Sequence, residues 1–177
     1  MSFIALETRE NTIALQYIHQ HYKDHSSVFL INATIGQTTV LGFTQIMRRL
    51  IQHHPQLSED YSHIGRLLGM AGNGYFAIAQ PSDAQHVVDA VKQWFALPQN
   101  VNWLLVFDNL DDPELVDIKE YLPACNHGTV VMTTRRRDLR QGRRGFEVQQ
   151  MHPTEAIQLL LAACAMPKLE ALEPSGK

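Results

Sequence analysis

Short apolar runs alternate with longer amphipathic stretches along the whole chain. Residues 12–22 mix Ile13, Leu15, Tyr17 and Ile18 with Ala and Gln, stop at the polar break Lys23-Asp24-His25, and read as a helix. Ser27-Val28-Phe29-Leu30-Ile31-Asn32 is too short for a core helix. A continuous apolar run of that length, ending in a polar residue, predicts a strand covered on both faces. Over residues 38–54, Val40, Leu41, Phe43, Ile46, Met47, Leu50 and Ile51 recur at helical spacing, with Arg48 and Arg49 on the other side and Pro55 as the stop.

Residues 56–81 carry Gly65, Gly69, Gly72 and Gly74 without a clear period, which predicts short helical turns inside a long connection. Ser82 or Asp83 can cap a helix reaching Leu97, because Val87, Val88, Val91, Trp94 and Phe95 share one stripe. Residues 102–107 then predict a buried strand, 114–121 a short helix and 129–133 another strand. Past the arginine-rich stretch 135–144, Gly145-Phe146-Glu147-Val148 reads as an edge strand. Pro153, Thr154 and Glu155 open a last helix ending near Met166. Helices separating short apolar strands imply the α/β class, a doubly wound parallel sheet with helices on both faces. One core domain over residues 1–166 and a flexible tail over 167–177 are expected, with no internal repeat.

Composition narrows the function classes. At 177 residues with 45% hydrophobic content the chain can bury one proper core. A net charge of −3 supplies no global field toward nucleic acid or an anionic membrane. Cys125 and Cys164 form no CxxC pair, which fits reduced thiols in a cytoplasmic protein. Residues 1–9 lack a basic segment followed by an apolar one, and no window has the apolar length of a membrane span. Six of the fifteen Lys and Arg residues fall between Arg135 and Arg144, but no aromatic residue interleaves them and an acidic stretch precedes them, so a solvated loop is favoured over a nucleic-acid surface. The His53-His54 and His19/His21 pairs lack a metal-ligand spacing, and Cys125 with His127 is explained by a turn between helix and strand.

The chemistry concentrates in Trp103-Leu104-Leu105-Val106-Phe107-Asp108-Asn109-Leu110-Asp111-Asp112, an apolar strand that delivers an aspartate where the chain leaves the sheet. Ligands of open α/β sheets bind outside the carboxyl ends of the strands, where a carboxylate can hold Mg2+ directly or through water. That is the logic of a Walker B strand. Gly128-Thr129-Val130-Val131-Met132-Thr133-Thr134-Arg135 repeats the pattern with a hydroxyl and a guanidinium at the strand's end. A guanidinium there can fork onto phosphate oxygens.

Taken in order, Ser27 to Ala33, Trp103 to Asp112, Tyr121-Leu122-Pro123 and Thr133-Thr134-Arg135-Arg136-Arg137-Asp138-Leu139 resemble the NB-ARC domains of NLR-type receptors, a branch of the STAND NTPases, and most of all their fungal members. The resemblance spans roughly residues 12–163. It implies a P-loop NTPase-like core that binds ADP at rest and exchanges it for ATP, with a signalling role and other protein chains as partners. By the same resemblance Asp108 is the Mg2+ residue, Thr134 lines the nucleotide site, Arg135 is the sensor arginine, and Asn109 stands where many members have a second acid. Hydrolysis by this chain alone is not expected.

The chain departs from that pattern where the family has its glycine-rich phosphate loop. The degenerate Walker A positions read Arg9, Glu10 and Asn11, with no lysine, and the first glycine is Gly36. The backbone N–H nest that cradles phosphate therefore cannot form in the usual way. Glu10 adds repulsion worth roughly 1 to 4 kcal/mol at about 4 Å from a phosphate charge. Weak nucleotide binding is the expectation, with a nucleotide-independent protein-interaction scaffold as the alternative. The resemblance also implies an incomplete domain, stopping before the winged-helix and sensor-2 region that closes the family's site.

Overall fold

Period-two alternation on two adjacent strands decides what each face of the sheet touches. The protein is seen here as a computed structural model, which describes residues 2–4, 12–53, 81–140, 144–149 and 152–163. It divides into two compact units, Met1–Leu139 and Arg140–Lys177. In the first, β1 (Ser2–Ile4), β2 (Ser27–Asn32), β3 (Trp103–Asp108) and β4 (Thr129–Met132) form a parallel sheet in that order. The intervening helices are α1 (Thr12–His21), α2 (Gly36–His53), α3 (Pro81–Ala96) and α4 (Ile118–Tyr121).

Strands β2 and β3 pair along their full length, from Ser27 opposite Trp103 to Asn32 opposite Asp108. Phe29, Ile31, Trp103, Leu105 and Phe107 share a core with α2 and α3. Their neighbours Val28, Leu30, Leu104 and Val106 pack on the other face with Ala14 and Ile18 of α1. The expected helices on both faces are thus present, and β3 is buried at all six positions. Phe29 meets the rings of Trp94 and Phe95 edge-on, with centroids 6.0 and 5.2 Å away. Gly42 lets α2 approach β2 closely, since a Cβ there would lie 2.8 Å from Cγ2 of the buried Ile31.

Strand order runs straight across the described sheet without reversing. Crossovers from β1 to β2 and from β2 to β3 advance in the same direction, yet α1 lies on the face opposite α2 and α3. The two crossovers therefore have opposite hands, and one of them departs from the right-handed rule. Ligand crevices of open α/β sheets form where strand order reverses. Asp108 instead sits at the end of an interior strand, with β4 on one side and β2 on the other.

Most predicted elements are present within a residue or two of their expected ends, with two corrections. The helix expected over 114–121 shrinks to Ile118–Tyr121. Its earlier part is taken by a turn in which Asp112 Oδ1 accepts from the Glu114 N–H at 3.0 Å, and Asp117 then caps α4 by accepting from the Lys119 N–H. The edge strand expected at residues 145–148 does not form, and residues 144–149 are exposed without regular structure. Alternation such as Phe146/Val148 says which side chains would share a face, but a strand exists only through ladder pairing.

In the second unit α5 spans Pro153–Ala163. The His152 N–H donates to Glu155 Oε2 at 3.3 Å, half of a capping box, and Pro153 occupies the first helical position. Among the described residues no helix is long and apolar enough to cross a membrane. All but the last residue of the expected connection over 56–81, the degenerate loop Arg9-Glu10-Asn11, the expected helix end near Met166 and the tail 167–177 lie outside the described residues.

Candidate functional site

Beyond the paired part of β3 and β4 the two segments stay joined through Thr133, by its backbone and by its side chain. The Thr133 N–H donates to the Phe107 carbonyl and the Leu110 N–H to the Thr133 carbonyl, both at 2.9 Å. The Thr133 hydroxyl donates to Oδ1 of Asp108 and accepts the Asn109 N–H at 3.0 Å. Asn109 takes a left-handed backbone, φ 61°, which asparagine tolerates better than most residues. That turn swings the chain from the buried strand toward Asp111. On the other side, the Ala33 N–H donates to the Asp108 carbonyl at 2.7 Å, so β2 holds the same residue.

Asp108 is 2% exposed. Burial pushes its carboxyl above the ordinary value, the Thr133 hydroxyl and the Asn109 N–H pull the other way, and the nearby Asp111 charge adds to the rise. Asp111 is the reverse case. Burial opposes its ionisation, but the Arg135 backbone and side-chain donors and charge outweigh it and hold the carboxyl below the ordinary value. The Arg135 backbone N–H donates to Asp111 Oδ1 at 2.7 Å and Nε donates to Oδ2 at 2.6 Å, while the Thr134 hydroxyl lies 3.4 Å from Oδ1.

The fold brings Asp108, Thr134 and Arg135 to adjacent strand ends, as the sequence predicts. Their immediate partners are different from those expected. Arg135 pairs with Asp111, Thr134 accepts the Arg136 N–H at 3.0 Å, and Asp108 is bridged by Thr133. Arg136 forks onto Asp138 through both Nε and Nη2, which holds the Asp138 carboxyl down and the guanidinium up. Sequence reasoning singled out Thr134 and passed over the roles of Thr133 and Asp111. The register contains the missing signal: Phe107 pairs with Met132, so the next residues, Asp108 and Thr133, stand side by side.

Cys125 and His127 lie between α4 and β4 and reach the end of α3. The His127 Nε2 lies 2.9 Å from the Phe95 carbonyl, which also accepts Trp103 Nε1 at 3.0 Å, and Cys125 Sγ lies 3.9 Å from the same oxygen. Among the described residues no group of three or more His, Cys, Asp or Glu side chains is placed to hold a metal ion. Comparison of the chain with protein-family models and with curated proteins gave no match.

Proposed function

We propose that this chain is an NB-ARC-type, P-loop NTPase-like module of a signalling switch that binds ADP or ATP weakly at the carboxyl ends of β3 and β4. The observation that carries the reading is one juxtaposition. A carboxylate at the end of a fully buried strand, Asp108, stands beside a strand end bearing an exposed guanidinium, Arg135. Mg2+ fits this donor set only as an ion held by one carboxylate and completed by phosphate oxygens and water, its usual mode of binding with nucleotides. Asp108 would hold it, and Mg2+ would supply charge neutralisation of the phosphates. Thr134 would line the site and Arg135 would face the terminal phosphate.

Titration of the full chain with fluorescent ADP and Mg2+ tests the reading. Saturable binding in roughly the high-micromolar to millimolar range is expected, as suits a site without a phosphate loop. Asp108→Ala and Arg135→Ala should each weaken it. No saturable binding by the unsubstituted chain overturns the proposal.

A nucleotide-independent scaffold that binds other protein chains is the second reading, supported by the internal satisfaction of the same groups: Thr133 on Asp108 and Asp111 on Arg135. It predicts that Mg-ADP leaves thermal stability unchanged at every concentration, because only a ligand that binds the folded state raises it.

A further inference from the structure

We propose that Asp111 is a positioning residue: it grips Arg135 side-on and presents the rest of the guanidinium to an oxyanion, which on the reading above is a phosphoryl group. The grip has two points. One carboxylate oxygen takes the backbone N–H of Arg135 and the other takes Nε of the same residue, at 2.7 and 2.6 Å. A carboxylate that closes a ring through main chain and side chain of one arginine removes most of that side chain's rotamers. Only Nε of the five guanidinium donors is used in this contact. The Arg135 side chain stays 88% exposed against 23% for Asp111, so the acid is anchored and the base is presented.

The anchor is itself tied to the site. The Asp111 N–H donates to the Asn109 carbonyl at 2.9 Å, and Asn109 is tied through the Thr133 hydroxyl to Asp108. Asp108, Thr133, Asn109, Asp111 and Arg135 thus form one continuous chain of contacts that sets the distance from the buried carboxylate to the guanidinium. Arg136 makes the contrast. Its guanidinium gives both Nε and Nη2 to Asp138 and its side chain is only 45% exposed, so fewer of its donors face solvent. Of these two neighbouring arginines, Arg135 is the one presented.

The charge of Asp111 also repels an anion, so the two effects oppose each other and a measurement of sign separates them. Calorimetry with Mg-ADP on the full chain should show Asp111→Ala binding about tenfold more weakly, as loss of a charge-assisted contact implies. Asp111→Asn keeps one acceptor oxygen but sets an amide donor against the second Arg135 donor, so it should not restore the loss. Asp111→Ala should cost nothing further in an Arg135→Ala background. Tighter binding by Asp111→Ala, or a loss that persists without Arg135, overturns the proposal.

Nuclear magnetic resonance of the arginine Nε–H groups tests the grip without nucleotide. A slowly exchanging Arg135 signal, lost in Asp111→Ala, is expected, and a signal already merged with the other arginines overturns the grip. Should the unsubstituted chain bind no Mg-ADP, the nucleotide reading fails while presentation is still decided with inorganic pyrophosphate. A shift of the Arg135 signal of the unsubstituted chain on addition of pyrophosphate supports presentation, and no shift overturns it.

Discussion

Asp108 and Thr133 face each other one residue past the last paired positions of β3 and β4, and the Thr133 hydroxyl bridges the Asp108 carboxylate to the Asn109 N–H. A hydroxyl can donate and accept at once, which no apolar side chain of the same shape can do. Through it the buried carboxylate is satisfied and the left-handed turn after β3 is held.

Thr133→Val keeps the shape and removes both bonds, leaving a buried carboxyl oxygen and a part-buried N–H without the hydroxyl. A loss of about 1–3 kcal/mol of stability is expected from urea denaturation, with Thr133→Ser close to the unsubstituted chain. Equal stability of the Val and Ser variants would show that the bridge contributes nothing.

The raised pKa of Asp108 has a definite sign in stability. With its folded-state value above the unfolded one, the folded state binds the extra proton in the window above about pH 3.8, so this group's contribution falls as pH rises through that window and then levels off. Asp108→Asn removes the effect while keeping an acceptor for Thr133. Its melting temperature relative to the unsubstituted chain should therefore climb from acid to neutral pH, by about 2–4 °C for each kcal/mol in a chain of this size. A flat difference across that range would contradict the assignment.

Asp111 titrates with the opposite sign. Its folded-state value is depressed, so the Arg135 contact stabilises above the ordinary carboxyl range and is lost as pH falls through the lowered value. Because Arg135 is largely exposed and salt screens such pairs, the effect should be small and should shrink further in high salt. Melting curves of Asp111→Asn at pH 3 and pH 7, in low and high salt, measure it.

Two backbone positions are equally specific. At Asn109 a β-branched side chain is disfavoured in the left-handed region, so Asn109→Val should fall about 1–2 kcal/mol below Asn109→Gly. At Gly128, φ 78°, a Cβ would stand 2.2 Å from the buried Trp103 ring. Gly128→Ala should cost about 1–3 kcal/mol, with a red shift of tryptophan fluorescence if the ring is displaced.

Much of the architecture is readable in the chain because it follows from local periodicity. Four apolar residues in a row between polar flanks, Val28 to Ile31 between Ser27 and Asn32, predict a doubly covered strand whatever its neighbours. The stripe of Val87, Val88, Val91, Trp94 and Phe95 predicts the buried side of α3 in the same way, and all five are buried. Asp108 at the end of the most buried strand is readable too, since a strand's last residue emerges where the sheet stops.

The short start of α4 and the missing strand at residues 145–148 were not readable. In the first case an Asp112 side chain competes for backbone donors, and in the second the pattern exists without a ladder.

Residue types and their periods along the chain therefore specify the strands, the helix faces and the placement of a carboxylate and a guanidinium at strand ends. Which groups those two residues touch depends on contacts 24 and 25 positions apart in sequence, between Asp111 and Arg135 and between Asp108 and Thr133. Such pairs are set by strand order and register. A slip of one residue in either strand would turn every side chain to the opposite face and dissolve both contacts, and no local pattern records it.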